Sequence, residues 1–581
     1  MSASEFNGRF ASPGTALGFA HRTDRVPDAV LPRRGTGDPV RQITDAFDAV
    51  AANLRALARS LAERGQHEQA DIMETASYLA EDPDLRDTAV GHARHGDPVT
   101  VAIGRAVDTY ATALSTLDDP TLAERATDVR QIGRRVLAWL HRGPDPAART
   151  GQDGPLVLLA HEIGAADLLE PHAPVVAAAS VTGGPNSHAA IVARSLGIPL
   201  LLGVEDVVLD CPDGVELLVE TDAAGRGALV ISPALDRRRA AVRAIAGDRA
   251  RRESLLAGRD LPCETTDGHA VVLRANVATP ADAETALAAR ADGVGLLRTE
   301  LPFLDAIDWP GHVLHAAALA PIFRRLDGVP VTVRTLDYAD DKLPPFLAAG
   351  RDGHIGRGLP LMLAQPDAFA EQFRAILTAG AAIDVRIMIP MVADVAELLA
   401  CRALLAAAAA ETGVAAPPLG AMIELPAAVA DIDRIAAEAA FLSIGSNDLT
   451  CQLLGLDRRD PAATPAMAAH PEVLRAVSDV VTAAHGHGRP VSVCGDAAAH
   501  PLVIPLLVGL GCDILSVAPA ALDETRALVR DLDRATCITL AVDALTCSAV
   551  EQVWHLVDQR CPTKSRTPPA TGQPTRPDRR V

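Results

Sequence analysis

The stretch Gly183-Gly184-Pro185-Asn186-Ser187-His188-Ala189-Ala190-Ile191-Val192-Ala193-Arg194 sets a histidine where a glycine-rich turn becomes a helix. The apolar run Val175 to Val181 reads as a strand entering the turn, Ser187 to Leu196 has helical composition, and Gly197 is a good terminator. First-turn amides and the helix dipole favour negative charge and help keep the imidazole neutral, so His188 is placed to receive a phosphoryl group. A lone histidine at such a turn is more often a cap or a satisfied core residue. The weight of the reading therefore falls on the rest of the chain.

A second set of polar residues closes apolar runs farther along. Arg298 follows Gly-Val-Gly-Leu-Leu, Arg334 closes Val-Thr-Val, and Glu424 follows Ala-Met-Ile. Asn447 and Asp448 follow Ser-Ile-Gly-Ser, Cys494 ends Val-Ser-Val before Gly495, and Arg357 and Arg458 add positive charge nearby. Arginine forks around a carboxylate pair suit a small, highly anionic substrate, with Glu424 and Asp448 holding a divalent cation. Hard oxygen ligands favour magnesium, or manganese, over zinc. Taken singly, each arginine reads as a surface charge and each acid as a cap or strand-end ion pair. Cys494 alone reads as a buried small hydrophobe; facing a pocket, it is a proton donor.

The elements that must position these residues follow from periodicity. Ser12-Pro13-Gly14 to Ala20 reads as an edge strand, and Asp24 to Pro39 as a connector rich in Pro, Gly and charge. From Val40 to about Arg142, apolar residues such as Ile43, Phe47, Val50, Leu54 and Leu57 recur at helical spacing, predicting a bundle of about four helices inserted after the first strand. Short β-rich runs (Leu156–Ala160, Val175–Val181, Leu200–Gly203, Val215–Glu220) surround the His188 helix and predict a compact α/β domain. Pro233 to Gly258, crowded with Arg and Ala, reads as one exposed linker helix. Eight β-type runs then alternate with Ala-rich helical stretches: Val271–Val277, Gly293–Leu297, Val331–Arg334, Val385–Ile389, Leu419–Ile423, Phe441–Ile444, Pro490–Val493 and Asp513–Val517. That alternation predicts a (β/α)8 TIM barrel, in which chemistry sits at the carboxyl ends of the strands. Pro562 to Val581 has the composition of a disordered tail.

Composition narrows the classes. A chain of 581 residues is too long for one core. Its 49% hydrophobic content without a membrane-length apolar run, and without a basic start followed by an apolar core in residues 1–20, predicts a globular cytoplasmic protein with no membrane insertion. A net charge of −20 disfavours nucleic acid as a partner. The nine scattered cysteines include no Cys-x-x-Cys pair, which speaks against a structural zinc site or a disulfide framework.

These residues together resemble enzyme I of the bacterial phosphoenolpyruvate-dependent sugar phosphotransferase system. Ser12-Pro13-Gly14 resembles the opening strand of that family. Glu81-Asp82-Pro83-Asp84-Leu85 and Glu124-Arg125-Ala126-Thr127-Asp128-Val129-Arg130 resemble its helical docking subdomain, and Gly183 to Arg194 its phosphohistidine motif. The segments 295–300, 334–337, 386–391, 422–428, 443–450, 457–458 and 494–495 follow in the family's order. The resemblance implies a multidomain α/β chain: opening strand and connector (1–39), helical subdomain docking the phosphocarrier protein HPr (40–145), swivelling phosphohistidine domain (146–232), linker helix (233–260), phosphoenolpyruvate-binding barrel (261–545) and a C-terminal helix end with tail (546–581). It further implies phosphorylation of His188 on Nε2 by phosphoenolpyruvate, release of pyruvate, and onward transfer to HPr. Arg298, Arg334, Asn447, Asp448, Arg458 and Arg357 would hold the substrate, Glu424 and Asp448 magnesium, and Cys494 would protonate the enolate. A homodimer formed through the barrels is implied as well.

The chain departs from the family pattern at several points. Gly164 stands where the family usually has a threonine that helps orient the histidine. The usual Gly-Gly-Asp-Lys after Asp337 reads Ala339-Asp340-Asp341-Lys342, the Arg357 loop is a residue short with Pro360 in place of an arginine, and Asp496 replaces a glutamate. Two other readings stand beside this one: a regulatory phosphoacceptor with weak turnover, and a relative of pyruvate phosphate dikinase or phosphoenolpyruvate synthase. The second needs an ATP domain, whereas the segment before Pro155 is helical and holds no glycine-rich phosphate loop.

Overall fold

The computed structural model describes residues 4–24, 38–63, 67–115, 120–142, 154–169, 174–184, 187–221, 226–338, 344–348, 358–457, 460 and 462–561. They form two compact units, one reaching Arg251 and the other starting at Arg252.

The first unit opens with two strands, β1 (Ser4–Ser12) and β2 (Ala16–Arg22), where the sequence suggested one. Five helices follow rather than four: α1 (Pro39–Glu63), α2 (His67–Glu81), α3 (Pro83–Arg94), α4 (Val99–Ser115) and α5 (Pro120–Arg142). The extra break is chemical. Asp82 caps α3 by accepting from the amides of Asp84 (2.9 Å) and Leu85 (3.4 Å), and Pro83 takes the first helical position, where no amide is needed. Its other carboxylate oxygen accepts from the Tyr110 hydroxyl of α4 at 2.6 Å, which ties the break to the bundle.

The chain returns through β3 (Leu156–Ala160), α6 (Ala165–Leu169), β4 (Val175–Ser180), α7 (His188–Leu196), β5 (Leu200–Leu202), β6 (Glu216–Thr221) and β7 (Gly227–Ile231). These strands close into a barrel in the order β1-β5-β4-β3-β2-β6-β7, with β1 pairing β7 antiparallel. The segment expected at an edge is therefore internal: β2 lies between β3, to which it is parallel, and β6. The helices are inserted between neighbouring strands β2 and β3, and they share a core with the sheet. Phe47, Leu54, Met73 and Ile132 are continuous with Leu158, Ala178 and Val192. The alternate residues Val157, Leu159, Ala177 and Leu201 fill the barrel interior, so β3 is buried on both faces.

Helix α8 (Leu235–Ala257) occupies the predicted linker; Ala241 is its one buried residue. Arg237 pairs with Glu5 and Glu220, and Arg238 with Glu216, fixing the helix start to the strands.

In the second unit, eight parallel strands close a barrel: β8 (Val272–Val277), β9 (Val294–Leu297), β10 (Val331–Arg334), β11 (Val385–Ile389), β12 (Leu419–Ile423), β13 (Leu442–Gly445), β14 (Val491–Cys494) and β15 (Ile514–Val517). Each lies within a residue or so of its expected run. Alternation divides the strands: Leu273, Val333, Ile387 and Ile444 pack outward on the helices, while Leu296, Met388, Met422, Phe441 and Cys494 form a separate cluster inside. The last described helix, Val550–Arg560, buries Val550, Val553 and Val557 in this unit's core.

Candidate functional site

Helix α7 begins where its sequence directs. The Ser187 hydroxyl accepts from the Ala190 amide at 3.3 Å, His188 is the first helical residue, and Gly197 ends the helix in the left-handed conformation, φ 63°. Pro185 and Asn186 lie outside the described residues. His188 Nδ1 lies 3.3 and 3.5 Å from the two carboxylate oxygens of Asp128 on α5. This contact favours the tautomer with the proton on Nδ1 and leaves the lone pair on Nε2.

Asp128 reaches the histidine because α5 is bolted to the loop after β3. Thr127 donates to Glu162 at 2.9 Å, Arg134 to the Glu162 carbonyl at 3.1 Å, and Arg135 pairs with Asp167 at 3.0 Å. Asp167 in turn accepts from the Gly164 amide at 3.0 Å. At Gly164 a Cβ would fall 2.3 Å from Gln131 Oε1, so Gln131 fills the space that a threonine side chain would need. Gln131, Asp128 and His188 line one pocket with Met73 and Ala76 of α2. Asp128 sat inside a quoted motif, yet its role was missed, because nothing local links a helix residue to a histidine sixty positions away.

The barrel gathers the other residues at the carboxyl ends of its strands. Arg334, at the end of β10, is clamped by Glu300 at 2.7 Å and Asp337 at 2.8 Å. Burial opposes its charge, but these carboxylates outweigh burial and hold the guanidinium more firmly protonated than usual. Glu300 and Asp337 were not among the expected site residues, although both lie within the strand-end motifs. Gln372, fully buried, donates to the Thr299 hydroxyl and accepts from the Leu336 amide, both at 3.0 Å, and so pins the two loops carrying these acids.

Glu424 is 1% exposed at the end of β12. Its Oε1 accepts from the Met391 amide at 2.7 Å, and Met391 is held at φ 55°, an unusual conformation for a side-chain-bearing residue. Gly445 lets the acid in, since a Cβ there would lie 2.8 Å from Glu424 Oε2. Burial pushes the Glu424 carboxyl up to about 8, with repulsion from Asp337 and Asp448 opposing the pull of Arg334.

Cys494 is 3% exposed; Ser443 donates to its sulfur at 3.3 Å, and its thiol donates to the Ile444 carbonyl at 3.6 Å. Burial pushes the thiol up to about 11, so it carries its proton at neutral pH. The charges of Arg334 and Arg298 are felt at this sulfur, although Arg298 itself is exposed. Asn447 and Asp496 clasp each other, the Asn447 amide donating at 3.2 Å and its oxygen accepting from the Asp496 backbone at 3.1 Å. Between them Gly495, at φ 115°, admits no Cβ, which would meet Ser446 Oγ at 2.4 Å. Arg357, Arg458 and the segment 339–343 lie outside the described residues.

Among the described residues no group of three or more His, Cys, Asp or Glu side chains is arranged to hold a metal by itself. The donor set nevertheless fits magnesium. Glu424 feels the charge of Asp448, both are hard oxygen donors, and magnesium is commonly bound by one or two carboxylates together with water and substrate oxygens. A divalent cation would also offset the burial and the repulsion that together keep a proton on Glu424.

Three family models match in succession: PEP-utilising enzyme, N-terminal (residues 7–125), PEP-utilising enzyme, mobile domain (152–223), and PEP-utilising enzyme, PEP-binding domain (252–534). A phosphoenolpyruvate-protein phosphotransferase of Streptomyces coelicolor is 33% identical over 87% of this chain and 89% of its own length. The chain belongs to the phosphoenolpyruvate-protein phosphotransferase family. Multiphosphoryl transfer proteins of Xanthomonas campestris (37% identical over 95% of this chain) and Rhodobacter capsulatus (35% over 84%) are similar too, and the chain spans 66% and 59% of their lengths. His188 falls in the mobile-domain match, Met73 and Ala76 of its pocket in the N-terminal match, and the arginine-carboxylate-thiol group in the PEP-binding match.

Proposed function

We propose that this chain moves the phosphoryl group of phosphoenolpyruvate onto His188 and then to a histidine of a small phosphocarrier protein, HPr. The observation that carries the reading is Cys494: a buried thiol that keeps its proton, beside a clamped arginine and a buried carboxylate, is what protonation of an enolate requires.

In the first step the bond between phosphorus and the enol oxygen breaks, and a bond forms between phosphorus and His188 Nε2. Asp128 holds the Nδ1 proton and offsets the positive charge that develops on the ring. Arg334 and Arg298 compensate the charge of the phosphate and carboxylate, with Arg357 and Arg458 assigned the same task from the family motif. Asn447 offers its amide at the rim. Cys494 gives its proton to the methylene carbon of the leaving enolate, which departs as pyruvate. Glu424 and Asp448 would hold magnesium, or manganese, which when bound would offset the oxygen charge that builds up during transfer. Because His188 serves two partners, the reading assigns a swivel to its domain, with α8 as hinge and the helical bundle as HPr dock. It also assigns a barrel-to-barrel homodimer and a cytoplasmic setting; among the described residues no helix is long and apolar enough to cross a membrane.

The test is incubation of the purified protein with magnesium and phosphoenolpyruvate, followed by assay of acid-labile phosphate and pyruvate. Both are expected with the unaltered chain, and His188→Ala should abolish both. A chain that neither labels nor releases pyruvate is instead a regulatory relative that has lost turnover.

A further inference from the structure

The lumen of the eight-stranded barrel is polar at its other end as well. On β8, Leu273, Ala275 and Val277 pack outward against the helices, so Arg274 alternates inward. On β11, Val385, Ile387 and Ile389 do the same, and Arg386 faces inward. Both arginines enter towards the amino ends of their strands, whereas Arg334 and Cys494 terminate theirs at the carboxyl end. The apolar cluster of Leu296, Met388, Met422 and Phe441 with Cys494 plugs the lumen between the two ends.

Arg274 is only 8% exposed, and the Nε of each arginine is sealed from solvent with no hydrogen-bond partner among the described residues. Neither guanidinium forms an ion pair there. Burial, and then the like charge of Arg386, pulls the Arg274 group below its usual range against weaker attraction from Asp384 and Asp292. The wall is shaped around this side chain: at Gly295 a Cβ would lie 2.3 Å from Ser516 Oγ and 3.1 Å from Arg274 Cβ. Ser516 does not serve the arginine, since its hydroxyl donates to Asn276 at 2.7 Å.

Buried charges are paired as a rule, because an unpaired one costs several kcal/mol. Arg274 is buried and Arg386 half-buried, and two like charges in one lumen with no ion-paired carboxylate among the described residues favour a counterion of the opposite sign. Planar guanidinium forks match tetrahedral and carboxylate oxygens two at a time, and two of them balance a dianion. We infer that the amino-terminal end of the barrel lumen is a second anion site, in which Arg274 and Arg386 grip a small dianion of the phosphate class. It is separate from the substrate site and does not depend on the proposed reaction.

The probe is inorganic phosphate added to the full chain at constant ionic strength, read as the melting temperature of the barrel unit. Saturable stabilisation is expected, roughly 5 °C at a hundredfold excess over the binding midpoint. The rise should persist in Arg334→Met, which alters the carboxyl end, and vanish in Arg274→Met. Equilibrium dialysis of labelled phosphate gives a second reading should Arg274→Met not fold, with about one equivalent bound by the wild type and at least about tenfold weaker binding in Arg386→Gln. A wild type that neither shifts nor retains phosphate overturns the inference. So does a shift that survives Arg274→Met, or one lost only in Arg334→Met.

Discussion

Replacing Asp128 by asparagine keeps the shape of the His188 pocket and removes only the charge that faces Nδ1. Hydrogen bonds to charged groups contribute about 1.5–3 kcal/mol. Here the separation of 3.3–3.5 Å is longer than in a tight charged pair, and the histidine side chain is 36% exposed, so solvent screens part of the effect. Screening brings the effect to the bottom of that range or just below it, about 1–1.5 kcal/mol, which corresponds to roughly a tenfold loss in the rate of phosphoryl capture. A second consequence separates orientation from general damage. An asparagine can turn either its oxygen or its NH2 toward Nδ1, so the proton is held there less strictly and the ring can present either nitrogen to phosphorus. The assay is single-turnover labelling from phosphoenolpyruvate, combined with phosphorus NMR of the denatured product to tell the Nε2 from the Nδ1 linkage. Asp128→Asn should be slower and should yield a mixture, with an unchanged melting temperature for the first unit. Wild-type speed with pure Nε2 linkage would refute the assignment of Asp128 as the orienting group.

Three further outcomes follow from particular contacts. Gly164→Thr should destabilise the first unit by less than about 1 kcal/mol, because its Cβ meets only the movable end of the Gln131 side chain, and Gln131→Ala should remove that cost in a double-mutant cycle on melting temperature. Cys494→Ala should slow pyruvate formation by about 10²–10⁴-fold while costing the barrel only about 1–2 kcal/mol of stability, as measured by coupled pyruvate assay and denaturant titration. His315 is 1% exposed, its ring meets Phe303 edge-on at 4.7 Å, and its Nε2 has no partner among the described residues. Burial pushes it down to about 4. Its folded pKa lies below the unfolded value, so its contribution is complete above about pH 6.5 and is lost as pH falls towards 4, by up to about 3 kcal/mol. Urea unfolding of the barrel unit at pH 7 and pH 4.5 should show a smaller pH-dependent loss in His315→Leu than in the wild type.

What could be read from the sequence is what local chemistry decides. The ends of α7 were expected within a residue because Ser187 and Gly197 act on amides and carbonyls only a turn away. The eight strands of the large barrel stood out because strands buried on both faces are unbroken apolar runs between helices. Strand β1 gave no such signal: Ser-Glu-Phe-Asn-Gly-Arg-Phe is half exposed, and its partners β5 and β7 lie about two hundred residues downstream. Without β1 and β7 the small sheet looks open, so β2 was placed at an edge it does not have. The helix count failed for a smaller reason, since the Asp82-Pro83 break interrupts the backbone without interrupting the hydrophobic period.

The site divides along the same line. Arg334, Glu424 and Cys494 were legible because strand ends in a (β/α)8 barrel converge on one mouth, so a charged residue closing an apolar run is informative even with its neighbours unknown. What a strand end cannot announce is who touches whom. Glu300 and Asp337 clamp Arg334 from two different loops, Asp337 also presses on Glu424, and the protonation of Glu424 and Cys494, set first by burial, is adjusted by charges that no one residue supplies. Arg274 was invisible for the complementary reason: it stands inside an apolar strand, where only the direction of the pleat reveals that its charge enters the lumen. Mechanism therefore rests on contacts between elements far apart in sequence, and those contacts are where substitutions should couple. A double-mutant cycle pairing Asp337→Asn with Glu424→Gln, run above pH 8 where Glu424 is ionised, should give strongly non-additive effects on barrel stability, because removing either charge already relieves the repulsion felt by the other.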